Sequence, residues 1–148
     1  MGVCSRCGAD LAARGHDVRP HTADAVIEAW AQTAAGCYEE AVAAFVDIFV
    51  DTRRARAGEI VTFDVGPAAP EDLLVLLLER VLLYIDAGGR VPIATQVRLC
   101  GDRLAAHLAL AAPATDDVIG STPKGVPYHD LTFGPRDGGW HCRATIDV

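Results

Sequence analysis

The order of segments along the chain predicts an α+β fold in which a mixed β-sheet carries two helices packed on one face. Three observations lead there. Residues 25–30 form a short period-two stretch, residues 33–49 repeat their apolar positions at helical spacing while 70–87 read as a helix apolar on most sides, and the sequence beyond Gly89 returns to short strand-like runs broken by Gly and Pro.

Ala25, Ile27 and Ala29 alternate with Val26, Glu28 and Trp30, the pattern of a strand with one wet face. Thr33 is a candidate N-cap. Beyond it Tyr38, Ala41, Val42, Phe45, Val46 and Phe49 recur every three or four residues, while Glu39, Glu40 and Asp47 mark the opposite face of the helix. A second strand over residues 59–65 runs into Gly66 and Pro67. Pro70 then sits at the first turn of another helix, with Glu71 and Asp72 near its positive end. That helix is apolar on most sides, which predicts burial, and it stops at Gly88 and Gly89, residues that accept the left-handed C-cap conformation. Strands are expected over 91–99, 104–111, 128–133 and 140–148, with turns at Gly101–Asp102 and through 134–139. Residues 113–127 hold three prolines and two glycines and read as a long exposed loop. Residues 1–20 show no sustained period and read as a leader bearing a CxxC pair, so the expected division is a leader over 1–20 and one domain over 21–148.

The chain has 148 residues, enough for one domain with a full core, and 51% of them are hydrophobic. Thirteen basic against twenty acidic residues give a net charge of −7, which opposes tight direct binding of nucleic acid and suits a basic protein partner. Residues 1–10 lack a basic segment followed by an apolar one, and the longest apolar run, 73–78, is far short of a membrane span, so a cytosolic location is expected. Five cysteines, an odd number, point to reduced thiols or metal ligands rather than a disulfide framework.

Four segments in order carry a resemblance: His21-Thr22-Ala23-Asp24 with Glu28-Ala29-Trp30 in the following strand; Glu71-Asp72-Leu73-Leu74 with Leu77 and Leu83-Tyr84; residues 124–131, reading KGVPYHDL; and Gly139-Trp140 with Ile146-Asp147-Val148. Together they resemble the archease family over nearly all of residues 20–148. The resemblance implies a non-enzymatic cofactor of the GTP-dependent RNA-splicing ligase of the RtcB type, which joins tRNA halves. Such a protein would help the ligase charge its active-site histidine with GMP and turn over repeatedly. A second implied association is with a tRNA cytosine methyltransferase.

The same resemblance implies a metal site at Asp24 and Asp147, completed by the terminal carboxylate of Val148. Carboxylate oxygens are hard ligands, so Ca²⁺, Mg²⁺ or Mn²⁺ is expected rather than zinc, and acids held together would repel each other without a cation. The plainer reading is that Asp24 caps a turn and Asp147 is a surface acid. His21 is expected to orient Asp24, His129 to support the metal ligands, and Lys124 to touch phosphate or an acidic patch on a partner, although a solvated lysine and a satisfied surface histidine are the bland alternatives. Three departures stand out: Pro20 where the family has an acid, Ala111-Ala112 where it has Gly-Glu, and Pro127 where it has Thr before Tyr-His.

Cys4 and Cys7 with Gly8 look like half of a zinc knuckle, for which His16, His141 and Cys142 are the other candidate ligands; a redox pair and an inert leader are the alternatives. The main rival to an activator is a stand-alone metal-dependent hydrolase using Asp24, His21 and His129, which has no further catalytic motif to support it.

Overall fold

The computed structural model describes residues 13–20 and 24–148. The elements in chain order are β1 (Gly15–Pro20), β2 (Asp24–Ala31), α1 (Ala34–Asp47), β3 (Glu59–Val65), α2 (Pro70–Gly88), β4 (Val91–Cys100), β5 (Arg103–Ala111), β6 (Thr132–Arg136) and β7 (Gly139–Asp147). The α+β class read from the sequence is the class observed.

Local chemistry accounts for the best-predicted elements. Alternate residues of β2 are buried, from Ala25 to Ala31, because only one face of the strand meets the core. The Gly36 N–H donates to Thr33 Oγ1 at 3.0 Å and so caps α1, whose Tyr38, Ala41, Val42, Phe45 and Val46 are fully buried. Pro70 opens α2 with Glu71 and Asp72 in its first turn, and Gly89, at φ 63°, closes it by donating its N–H to Ile85 O at 2.8 Å. Leu74, Leu77, Leu78, Val81 and Ile85 of this helix join the core, and the Tyr38 ring stacks on Phe133 with centroids 4.1 Å apart. The Tyr38 hydroxyl donates to Pro70 O at 2.8 Å, and burial pushes its pKa up.

The sheet arrangement differs from the single mixed sheet expected. There are two sheets, ordered β1-β2-β7-β6 and β3-β5-β4, and every strand pairing among the described residues is antiparallel. Nor do the helices share one face of one sheet: α1 packs on β1, β2 and β7 and also on β4, while α2 reaches β3, β4 and β6. Period-two alternation identifies a strand and its buried face but does not name its neighbour.

Strand β1 is a second difference. Residues 15–20, read as leader, pair along β2 from Gly15 opposite Trp30 to Pro20 opposite Ala25. What anchors β1 to α1 is charge rather than apolar alternation. His16 Nδ1 lies 2.8 Å from Glu40 Oε1, and its Nε2 lies 2.7 Å from Asp47 Oδ2. Arg14 binds Glu39 and Glu40, and the Val97 N–H on the rim of β4 donates to Glu39 Oε2 at 2.9 Å. The acidic face of α1 is thus covered by β1 and the edge of β4.

The third difference lies near the end of the chain. The strand expected over 128–133 is displaced to β6, because His129 and Asp130 form a turn with Asp130 at φ 55°. The turn expected across 134–139 contracts to Asp137-Gly138, at φ 52° and 81°, the pairing favoured in a two-residue hairpin. The loop over 113–127 is anchored rather than loose. Val118 bridges to Val50, Ile119 N–H donates to Phe49 O at 2.8 Å, and the buried loop carboxylate Asp117 receives Arg54 at 2.6 Å.

Candidate metal centre

Strand β7 runs between β2 and β6, and its register brings Asp147 directly opposite Asp24. The backbone of Asp147 is turned the other way: Lys124 N–H donates to its carbonyl at 2.7 Å, and its own N–H donates to Gly125 O at 3.0 Å. A strand residue directs both backbone groups to one side, so the pair formed by Asp24 and Asp147 is of the non-hydrogen-bonded kind. In such pairs the Cα atoms lie only about 4.5 Å apart and the side chains are at their closest. Two acids therefore leave the same face of the sheet as immediate neighbours. Like charges placed directly opposite are destabilising, a repulsion that a shared cation would relieve. The all-oxygen donor set fits a hard divalent ion.

The other expected site residues fall around this pair to differing degrees. Val148 follows Asp147 and packs partly against the core, which fixes the end of β7. Lys124 is exposed and joins the pair through its backbone. His129 is also exposed, and its Nδ1 lies 3.5 Å from the adjacent Asp130 Oδ2. His21 lies outside the described residues, as do Cys4 and Cys7. Among the described residues no group of three or more His, Cys, Asp or Glu side chains is placed to hold a metal, so the fit rests on the two acids.

The other candidate zinc ligands are engaged elsewhere. His16 lies between Glu40 and Asp47, and His141 Nε2 is 3.0 Å from Glu28 Oε2. Cys142 is buried, and a hydrogen bond with Cys37 together with burial raises its thiol well above the ordinary value. A neutral, buried thiol is a poor metal ligand.

A cleft of about 710 Å³ opens on the same outer face of this sheet, toward the opposite end of β2. Its lining includes Trp30, Glu28, His141, Arg19 and Arg136. Six residues separate Asp24 from Trp30, roughly 20 Å along a strand, so cleft and acid pair are separate features. Sequence reasoning assigned no chemical role to Glu28 and named His141 only as a candidate zinc ligand. The available signal was the position of Glu28 on the wet face of an alternating strand.

Fold and site together define a small two-sheet α+β protein with a pair of facing acids at one sheet end, and comparison with known proteins specifies the family. The Archease protein family model matches residues 16–148, and the chain belongs to that family. It is 34% identical over 148 residues to the probable protein archease of Mycobacterium tuberculosis strain H37Rv, covering 100% of this chain and 83% of that relative. It is 25% identical over 123 residues to the protein archease of Thermoplasma acidophilum, covering 83% and 87% of the two chains. The fold is similar to the solution structure of protein 1598 from Methanobacterium thermoautotrophicum, with TM-score 0.74 at 19% identity, covering 90% of this chain and 99% of that one. It is also similar to the crystal structure of an archease, possible chaperone, from Thermotoga maritima, with TM-score 0.63 at 19% identity and coverage of 86% and 93%. No helix among the described residues is long and apolar enough to cross a membrane.

Proposed function

We propose that this chain is a metal-binding accessory protein that activates a GTP-dependent RNA-splicing ligase of the RtcB type, promoting guanylylation of the ligase and its repeated turnover in tRNA splicing or RNA repair. It acts in the cytosol, through a protein partner and without turnover of its own. The observation that supports this most is the close pairing of Asp24 with Asp147 beside the backbone of Lys124 and Gly125, in a chain of the archease family. Asp24, Asp147 and the Val148 carboxylate would hold a Ca²⁺, Mg²⁺ or Mn²⁺ ion, which would neutralise the acids and tie the start of β2 to the end of β7. Lys124 and His129, both exposed, are then available to the partner. The net charge of −7 fits a partner that is itself basic enough to grip RNA.

The test is multiple-turnover ligation by the cognate ligase in defined Mn²⁺ or Mg²⁺, with and without this protein. Acceleration at substoichiometric amounts is expected, and the Asp24→Ala protein should give none. No acceleration by the folded wild type would overturn the ligase reading and turn attention to a tRNA methyltransferase or a stand-alone hydrolase.

A further inference from the structure

Helix α2 is apolar on most sides, yet one strip of it faces solvent. That strip has a regular composition. Leu76 and Leu83 are seven residues apart, and Asp72, Glu79 and Asp86, each seven residues from the next, run alongside them. Leu83 is 60% exposed, far more than the leucines on the core side of the helix, and Leu76 is half-buried. Seven residues make nearly two helical turns, about 10.5 Å, so the leucines form one line and the acids a parallel one. None of Asp72, Glu79 and Asp86 has an ion-pair partner among the described residues. The acids on α1, by contrast, are met by Arg14 and His16.

We infer that this strip of α2 is a docking surface for an amphipathic helix of a basic partner protein, with apolar side chains on Leu76 and Leu83 and Lys or Arg against Asp72, Glu79 and Asp86. The inference rests on the reading of this chain as an accessory protein. A repeat of seven is the spacing at which two helices keep their seams in register, and like-spaced acids beside the seam select a partner by charge. Charge also argues against a second copy as the occupant. An antiparallel copy would set acids against acids, and Arg80 on the far side of the leucine line is held 4.7 Å over the Phe63 ring.

The probe is a fluorescein-labelled helical peptide of three heptads with leucine at the seam positions and lysine beside them, titrated into the full chain by anisotropy. Its counterpart has glutamate in place of lysine. The lysine peptide should bind, more weakly as salt rises, and the glutamate peptide should not. Leu83→Ser, a change at an exposed position, should weaken binding about tenfold or more, as should the double change Glu79→Lys and Asp86→Lys. Binding unchanged in Leu83→Ser would overturn the proposal. So would a concentration-dependent dimer in sedimentation that Leu83→Ser abolishes, since the occupant would then be a second copy. Ligation assays separate the two claims. Failure of the wild type to accelerate the ligase, with peptide binding intact, removes the ligase reading and supports the docking face. Acceleration by Leu83→Ser at an unchanged half-saturating concentration overturns the docking face and keeps the ligase reading.

Discussion

The acids along α1 and those at the paired ends of β2 and β7 are placed differently. On α1, Glu39, Glu40 and Asp47 receive Arg14, His16 and a backbone N–H from β4, so their charge fastens β1 and β4 onto the helix. At the sheet end, Asp24 and Asp147 are cross-strand neighbours in the closest kind of antiparallel pair. Acids spread along a helix can fasten neighbouring elements onto it. Acids set directly opposite each other across two strands would, on the proposed reading, share an external cation.

The largest expected effect separates function from fold. Asp24→Ala should return ligation to the unassisted rate while changing unfolding free energy by less than about 1 kcal/mol. A collapse in stability with lost activation would mean that this acid is structural, like those on α1. Next is Phe45→Ala, on the apolar side of α1, which should cost about 3–5 kcal/mol in urea unfolding and sets the scale against which the charged side is judged.

The charged side of α1 makes a pH-dependent contribution. Each ring nitrogen of His16 faces a carboxylate, an arrangement that suits the doubly protonated ring, and the Asp47 and Glu40 hydrogen bonds raise its pKa from 6.5 to about 9 despite partial burial. Because the folded value lies above the unfolded one, the stabilisation is fully present below pH 6.5 and is lost as pH rises through about 9. After solvent screening we expect a loss of about 1–2 kcal/mol between pH 6 and 10. His16→Ala should flatten that part of the profile in thermal melts. Smallest is Thr33→Ala, which removes the side-chain cap from the same helix and should cost about 1 kcal/mol.

How far the sequence could be read depended on what held each element. Strand β2, the Thr33 cap and the span from Pro70 to Gly89 were legible because their information is local: alternation, a hydroxyl acceptor, a first-turn proline and a left-handed glycine. Strand β1 was not legible, because the residues that fasten it to α1, Arg14 and His16, are polar and leave no hydropathy signal. The division into two sheets was hidden for a related reason, since partner choice depends on how α1 and α2 pack between strands distant in sequence. The acids of the sheet end come from opposite ends of the chain, and only the family resemblance put them together. Their closeness follows from backbone bonds to Lys124 and Gly125 in a loop that looked unstructured.

Titration calorimetry with Mn²⁺ or Ca²⁺ on the native chain, beside Asp24→Asn and Asp147→Asn, tests the central claim most directly. The account predicts one divalent ion per wild-type chain and at least a tenfold loss of affinity in either variant, since each removes a charged ligand. Equal ion uptake by all three proteins would contradict it and would make the facing acids a feature of the fold alone.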